Sequence, residues 1–313
     1  MDSINIKDIA RICGVGVSTV SRAINNHPDI NPETKNMIMQ AIKEHNYIPN
    51  NSARNLKRTD SKAIAVLIKG ISNPFFNKMI RVFEEEIQKK KYLFIMQRVD
   101  ASEDEVDVAL ELIKEKKPRG IVFLGGFFSH SREKLEQLTV PFVLSTIGMT
   151  DSLEESSSYS WVSVDDYAES YKMTDYLCKL GHKKILILAA TQDDESIGRL
   201  RLEGYKKALT DNGIEPDEEL CVFSDAGRDC YTMDYGFMSR ILREKKVDFT
   251  AVYAISDSIA IGACKAITEC GGKIPEDYSV AGFDGLDIAH YYNPTLTTIR
   301  QPVEEMAEST IKI

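Results

Sequence analysis

The side chains best suited to chemistry lie on one short segment near the N-terminus. Val17, Ser18, Ser21 and Arg22 share the polar face of a helix predicted over residues 17–24. Arginine can donate two hydrogen bonds to guanine O6 and N7, and small hydroxyls reach phosphates or base edges without steric bulk. This surface suits the major groove of DNA. A small helical packing domain with a solvated polar face has the same pattern.

Two further predicted helices would position this surface. A helix of about two turns follows from apolar residues at i, i+3, i+4 and i+7 spacing, which are Ile6, Ile9, Ala10 and Cys13. Gly14-Val15-Gly16 breaks this helix. The third helix begins at Asn31-Pro32-Glu33, an N-cap residue, a first-position proline and a first-turn acid, and it stops before Pro49. A helix, a glycine-containing turn and a second short helix form the helix-turn-helix pattern.

Residues 50–58 form a polar, basic segment with one apolar residue, Leu56. Short helices without packing are marginal in water, so we do not expect this segment to be helical by itself. A basic segment that orders only on DNA, with an apolar wedge, fits a device that kinks the duplex from the minor groove. A plain flexible linker has the same composition.

The rest of the chain predicts parallel sheets. Short apolar runs alternate with helical segments, and they lie at residues 63–68, 92–96, 120–124, 142–144, 161–164, 184–190, 251–255 and 278–283. Such alternation indicates βαβ units. The length suggests two similar lobes. We therefore expect an all-α helix-turn-helix head (1–49), a hinge or linker (50–60), and an α/β body of two doubly wound parallel-sheet lobes (61–313).

Charge separates the head from the body. The 313 residues carry a net charge of −9, but residues 1–60 hold 8 basic and 6 acidic side chains, whereas the remainder holds 31 and 42. An acidic body is repelled by phosphate, so DNA contacts belong to the head. The sequence shows no signal peptide and no apolar run of about 18 residues, so we expect a cytoplasmic protein without membrane contact. Dispersed cysteines and histidines predict reduced thiols, no metal and no cofactor.

Two other classes of protein fit parts of this pattern. An α/β enzyme with an unrelated helical head is one, but Gly271-Gly272-Lys273 is followed by Ile274 and no phosphate-binding or nucleophile-elbow motif occurs. Adjacent acids such as Asp165 and Asp166 are typical of solvated or capping residues. No catalytic residue is therefore predicted. A cleft-type solute-binding protein is the other class, although it would need export.

The motifs together resemble the lactose-repressor (LacI/GalR) family of bacterial transcription regulators. The likeness extends over nearly the whole chain. It is carried by Ile6–Ala10, Gly14-Val15, Ser18–Asn25, Asn46–Asn50, Asn73–Phe76, Gly181–Ile185, Arg201–Tyr205, Gly282–Asp284 and Leu296–Pro302. The family commonly extends through another helix and closing strands beyond this last motif, so the resemblance implies that the chain ends early.

The resemblance implies a homodimer that binds double-stranded DNA at a pseudo-palindromic operator. Base edges would be contacted by Val17, Ser18 and Arg22. The phosphates would be contacted by Thr19, Ser21, Asn25 and Asn50. The hinge segment would bind through Ala53, Arg54 and Lys57, with Leu56 of each protomer wedged into a central CpG step. Val17 offers apolar contact alone, such as with a thymine methyl group.

For the body, the resemblance implies two lobes like those of periplasmic sugar-binding proteins, with a ligand cleft between them. Residues facing the cleft would be Phe75, Phe76, Thr146, Asp165, Arg201, Ser256, Asp257 and Asp284. Arginine and aspartate can bracket a polyol while aromatic rings cover its apolar face. We therefore expect a repressor whose operator affinity is controlled allosterically by a small polar effector, a sugar or similar metabolite.

Overall fold

A computed structural model describes most of the chain as two compact units, which divide between Thr59 and Asp60. The described residues are 4–24, 26–45, 47, 61–100, 102–126, 130–147, 159–192, 197–223, 235–244 and 247–313. Within them, no helix is long and apolar enough to cross a membrane.

The N-terminal unit contains the predicted helix-turn-helix. Its helices are α1 (Ile6–Ile12), α2 (Val17–Ile24) and α3 (Pro32–Glu44). Asn5 and Asp8 form a capping box at the start of α1, and the Asn31 side chain caps α3 ahead of Pro32. The buried core of this unit includes Ile9, Ala10, Val20, Ala23 and Ile38. One inward stripe from each helix therefore closes the unit.

The first lobe of the body is a five-stranded parallel sheet. Its strands are β1 (Ala63–Lys69), β2 (Leu93–Val99), β3 (Gly120–Leu124), β4 (Phe142–Ser145) and β5 (Ser160–Val162), in the order β2-β1-β3-β4-β5. The connecting helices are α4 (Phe75–Lys89), α5 (Glu105–Lys116) and α6 (Arg132–Leu135). Alternate residues of β1 enter two different cores. Ala65 and Leu67 lie in one core, and Val66 and Ile68 lie in the other. Both faces of the sheet are thus covered.

The second lobe repeats this design. Its strands are β6 (Ile185–Ala189), β7 (Cys221–Phe223), β8 (Ala251–Ala254), β9 (Ser279–Asp284) and β10 (Thr297–Arg300), in the order β10-β9-β8-β6-β7. Its helices are α7 (Asp166–Lys179), α8 (Ile197–Asp211), α9 (Tyr235–Glu244), α10 (Asp257–Glu269) and α11 (Asp287–Tyr291). The predicted fold of two parallel-sheet lobes is confirmed. The sequence had not predicted the two edge strands, β7 and β10.

The chain passes between the lobes at least twice in the described region. Residues 163–165 lead from β5 to α7, and residues 301–302 lead from β10 to a last helix, α12 (Val303–Lys312). Helix α12 returns to the first lobe, where Val303, Met306 and Ala307 join the core of Val66 and Ile68. Both passages start at the carboxyl ends of strands. Ligands of open α/β sheets bind at such edges, so the candidate cleft lies there.

Candidate DNA-reading helix and ligand cleft

Helix α2 divides its residues between a core and an open face. Val20 and Ala23 are buried, while Val17, Ser18 and Arg22 are exposed. Thr19 and Ser21, the candidate phosphate contacts, are half-buried. The side chains predicted to contact base edges are therefore the accessible ones. The other predicted DNA contacts lie outside the described residues; these are Asn25, Asn50, Ala53, Arg54, Leu56 and Lys57.

Arg201, on α8, is the centre of the candidate cleft. It is 1% exposed, and its Nε donates to Asp166 Oδ1 at 2.8 Å. Its Nη1 donates to the carbonyl oxygen of Ile255 at 2.5 Å and lies 3.8 Å from Asp284 Oδ1. The guanidinium carbon sits 3.6 Å from the ring centroid of Phe283. A buried cation is costly unless it is paired, and these contacts satisfy that requirement.

Asp284 ends β9 in a conformation that L-residues rarely adopt, with φ at +121°. Its Oδ1 accepts a hydrogen bond from Gln301 Nε2 at 2.9 Å. Its Oδ2 is buried and has no hydrogen-bond partner among the described residues. Burial, only partly offset by Arg201, raises the pKa of Asp284 to about 7. Backbone strain and an unpartnered buried oxygen coincide here, which is typical of a ligand-binding position.

Asp257 and Ser256, unlike Asp284, use their side-chain oxygens in hydrogen bonds within the second lobe. The Ser256 hydroxyl accepts the Ile259 amide at 3.2 Å and so caps α10. Asp257 accepts the Leu286 amide at 2.7 Å and the Thr298 hydroxyl at 2.5 Å, one on each carboxylate oxygen. Burial raises the pKa of Asp257 to about 6. With both oxygens occupied, Asp257 braces the loop that follows Asp284.

Thr146 is the counterpart of Asp284 in the first lobe. It directly follows β4 with φ at +63°, and its amide donates to the Val162 carbonyl at 2.8 Å. Its Oγ1 is buried without a hydrogen-bond partner in the described part of the chain. Each lobe therefore presents one strained polar residue, with one unsatisfied oxygen, at the carboxyl end of a strand.

Phe75 and Phe76 begin α4 and are mainly core residues. They are 4% and 8% exposed, and their rings meet edge to face at a centroid distance of 5.6 Å. The Asn73 side chain accepts the Phe75 amide at 3.0 Å and fixes this start of the helix. Phe76 packs so closely on Gly125 that an added Cβ would lie 2.7 Å from its Cζ. Their rings are part of the first-lobe core, and Phe76 packs beside the turn that follows β3.

Only one of the two adjacent acids is the solvated or capping residue that we expected both to be. Asp165, the predicted cleft residue, is exposed, and its Oδ1 caps α7 by accepting the Ala168 amide at 2.9 Å. Asp166, which sequence analysis took for a solvated or capping residue, is buried against Arg201. The buried face of α7 is the signal that could have found it, because its members recur at helical spacing: Asp166, Ser170, Met173, Thr174 and Leu177.

These features define a class of protein. A helix-turn-helix unit with an open polar face precedes a two-lobed parallel α/β body, and at the strand ends of both lobes lie buried polar groups without a hydrogen-bond partner in the described residues. No group of His, Cys, Asp and Glu within the described ranges could hold a metal ion. This is the architecture of a DNA-binding regulator with a ligand-binding body.

Comparison with known proteins agrees. Residues 5–50 match the model described as "Bacterial regulatory proteins, lacI family", and residues 174–313 match a periplasmic binding protein-like domain. The chain is 42% identical over 311 residues to the HTH-type transcriptional regulator MalR of Clostridium butyricum, covering 99% of this chain and 91% of that one. It is 31% identical to NtdR, the NTD biosynthesis operon regulator of Bacillus subtilis (strain 168), over 98% and 90% of the two chains.

Solved structures share the fold along almost the full chain. The lac repressor dimer bound to operator and the anti-inducer ONPF superposes with a TM-score of 0.73 at 23% identity, covering 99% of this chain and 91% of that one. A CelR–cellobiose complex gives 0.68 at 25% identity, with the same coverage. The protein belongs to the lacI family of bacterial regulatory proteins and is a DNA-binding transcriptional regulator.

Proposed function

We propose that the protein is a homodimeric repressor whose affinity for a pseudo-palindromic operator is controlled by a neutral sugar bound between the two lobes. The observation that carries the ligand assignment is that, among the buried side-chain oxygens without a hydrogen-bond partner in the described residues, Asp284 Oδ2 and Thr146 Oγ1 lie at strand ends, one in each lobe. An unsatisfied buried polar atom costs about 1–3 kcal/mol, which a hydrogen-bonding ligand would recover. The cleft acts by binding, without chemical turnover.

The charge arrangement favours a neutral polyhydroxy ligand over an anion. Arg201, the cation beside Asp284, is already engaged by Asp166 and the Ile255 carbonyl. When ionised, Asp284 Oδ2 is an acceptor that suits a ligand hydroxyl and repels a phosphate or carboxylate; when protonated, it can donate to a ligand hydroxyl. The relative CelR, solved with cellobiose, supports the same ligand class.

The regulatory step follows from the chain path. A ligand held by both lobes favours one angle between them, and the first lobe follows directly on residues 50–60 in sequence. In a dimer, that angle would decide whether the two hinge segments can pair on DNA. Ordering a segment costs roughly 1–2 kcal/mol per residue, so the hinge segments would order only when the body lets them pair on DNA. The protein would act in the cytoplasm, together with its DNA.

Selection of DNA from a random library by the purified protein, at one fixed salt concentration, tests the DNA-binding role. We expect a palindrome with a central CG step. Arg22→Ala should cost about 1–3 kcal/mol at one base pair per half-site, whereas Arg11→Ala, on α1, should leave the selected sequence unchanged. An asymmetric sequence, or equal effects of both substitutions, would contradict the proposed arrangement.

Thermal unfolding in the presence of cellobiose, maltose, ribose and ribose 5-phosphate tests the ligand class. A neutral sugar that binds the folded state should raise the Tm, and the rise should grow with the logarithm of its concentration above the Kd. The same sugar should change operator affinity. A larger shift with ribose 5-phosphate than with every neutral sugar would overturn the assignment.

A further inference from the structure

Gln301 lies in the connection that takes the chain from the second lobe back to the first. It is buried, and it contacts Asp284 twice. Its side-chain Nε2 donates to Asp284 Oδ1 at 2.9 Å, and its backbone amide donates to the Asp284 carbonyl oxygen at 3.2 Å. One residue thus holds both the carboxylate and the main chain of the strained strand end. Fixing Oδ1 in this way leaves Oδ2 as the unsatisfied oxygen.

The same connection leads directly into α12. Val303 and Met306 are buried in the first-lobe core, and the Thr310 hydroxyl lies 3.0 Å from the Ser145 hydroxyl. Ser145 immediately precedes Thr146. A continuous path of covalent and hydrogen-bonded contacts therefore joins Asp284, through Gln301 and α12, to the residue beside Thr146. Asp284 Oδ2 lies at one end of this path, and Thr146 Oγ1 lies one residue beyond the other end.

We propose that Gln301 is a positioning residue that holds the Asp284 carboxylate ready for the ligand and makes the seating of α12 on the first lobe depend on that carboxylate. The identity of the ligand rests on the proposed function. The mechanical link between Gln301, Asp284 and α12 is a property of the ligand-free protein, so it can be tested without an effector.

The surroundings of Asp284 supply a readout that separates positioning from simple packing. Three charged groups face it: Arg201 from α8, Asp166 from α7 and Asp257 from α10. With its pKa raised to about 7, the carboxyl is mainly neutral at pH 5.5 and mainly ionised at pH 8. A hydrogen bond donated to a charged acceptor is roughly twice as strong as one donated to a neutral acceptor. The contribution of Gln301 should therefore grow with pH.

Thermal unfolding of the full chain at pH 5.5 and pH 8 tests this link. Gln301→Leu should lower the Tm by about 4–8 °C at pH 8 and by half of that or less at pH 5.5. Gln301→Glu, the closest isostere, should be the more destabilised at pH 8 and should recover at pH 5.5, where a shared proton restores the hydrogen bond. In an Asp284→Asn background, the pH dependence of both substitutions should vanish.

Thr310→Val is the matched control, because it alters the other end of α12 without touching Asp284. Its effect on the Tm should be the same at both pH values. Amide hydrogen exchange in residues 303–307 should accelerate at pH 8 in both Gln301→Leu and Asp284→Asn, because the seating of α12 depends on the carboxylate. Equal Tm losses at both pH values, retained in the Asp284→Asn background, would show that Gln301 only packs and would overturn the proposal.

The ligand arm is separate. If cellobiose, maltose and ribose all leave the wild-type Tm unchanged, the ligand class proposed above is wrong, while the pH comparison still decides the role of Gln301. If one sugar does raise the Tm, Gln301→Glu should lose that shift at pH 8 and regain it at pH 5.5, whereas Thr310→Val should keep it at both.

Discussion

The two lobes share a strand order, yet each treats a buried carboxylate differently. In the first lobe, Glu105 receives Lys69 Nζ at 2.8 Å and His130 Nε2 at 3.2 Å. Burial pushes the pKa of Glu105 up, but these bonds outweigh burial and lower it. In the second lobe, Asp284 shares Arg201 with Asp166, and burial raises its pKa. A buried acid with its own cation, such as Glu105 with Lys69, stays charged, whereas one that shares a cation keeps a proton near neutral pH.

This difference assigns separate tasks to the lobes. At the end of β1, Lys69 and Glu105 neutralise each other's charge, and we expect this ion pair to stabilise the first lobe. The Arg201 cluster leaves Asp284 Oδ2 without a hydrogen-bond partner among the described residues, and in the proposed cleft this oxygen binds the ligand. The first lobe contributes to the candidate cleft a neutral hydroxyl, that of Thr146. We therefore expect the charged groups that contact the ligand to come from the second lobe, and the neutral surface that fits its shape to come from the first lobe.

The largest expected effect follows from removing the shared cation. Arg201→Met leaves Asp166 buried and unpaired, and we expect a loss of about 3–5 kcal/mol in the free energy of unfolding. Lys69→Met should cost less, about 1–3 kcal/mol, because His130 still contacts Glu105. Urea unfolding at pH 7.5 measures both.

Arg199→Met is the control for Arg201, since Arg199 is exposed on the same helix and pairs with Glu203 at 2.8 Å. Its cost should stay below about 1 kcal/mol. A Lys69→Met loss as large as that of Arg201→Met would remove the distinction between the lobes.

Opposite pH dependences are the next effect in size. The pKa of Asp284 is raised from about 3.8 to about 7, so its folded state binds the proton more tightly. The stability that it contributes is complete below about pH 4 and is lost as the pH rises to 7, a change of about 2–4 kcal/mol. Asp284→Asn should therefore gain stability relative to wild type between pH 5 and pH 8. Urea unfolding across that range measures the gain.

Glu105 should show the reverse sign. Its lowered pKa contributes stability that is present above its unfolded value of 4.5 and is lost as the pH falls below that value. The penalty of Glu105→Gln should thus be constant from pH 5 to pH 8 and shrink in more acidic solution. Parallel pH profiles for the two variants would contradict the comparison.

The residues around Arg201 show how much of the candidate site could be predicted from the sequence. Arg201 and Asp284 were predicted as cleft residues because they belong to recognisable motifs, and the structure brings them within 3.8 Å of each other. Which of two adjacent acids pairs with Arg201 depends on the rotation of α7, and a solvated pair was the simpler interpretation. The unsatisfied oxygens could not be predicted, because they depend on a positive φ at the strand ends, which the residue type alone does not indicate.

The fold was more predictable where the hydrophobic pattern was strong. Helix α2 was predicted with its observed bounds, Val17–Ile24, because a glycine turn precedes it and its apolar residues repeat at helical spacing. Strands β7 and β10 were missed for a physical reason. The first has three residues, and the second, Thr297–Arg300, is half-exposed at the sheet edge, so neither has a continuous buried apolar run.

A smaller effect concerns the rim of the first lobe. At Gly125, with φ at +70°, an added Cβ would lie 2.7 Å from both the Lys69 carbonyl oxygen and Phe76 Cζ. Gly125→Ala should cost about 2–4 kcal/mol, from backbone strain and overpacking together. Gly213→Ala is the control for backbone strain without overpacking, because Gly213 has φ at +71° and no atom lies within 4 Å of an added Cβ. Chemical denaturation should show the larger loss at Gly125, and equal losses would mean that Phe76 yields easily.

The smallest effect is a gain. Thr146→Val preserves shape and removes the unsatisfied hydroxyl, so we expect stability to rise by about 0–1 kcal/mol while sugar binding weakens. Thr298→Val is the contrast in the second lobe, because its hydroxyl donates to Asp257, and it should cost about 1–2 kcal/mol. Calorimetric melting of both proteins compares them. A destabilised Thr146→Val would show that the hydroxyl is already satisfied.

The return of α12 to the first lobe has a consequence for biosynthesis. Ser145 and Thr310, which meet in the folded protein, are separated by 165 positions in the chain. At about 5–20 residues per second, a ribosome needs roughly 10–30 s to make the intervening chain. During that interval the apolar face containing Val66 and Ile68 lacks the helix that completes its cover. The nascent first lobe is thus a natural client for chaperones, and translation speed over the second lobe sets how long it must wait.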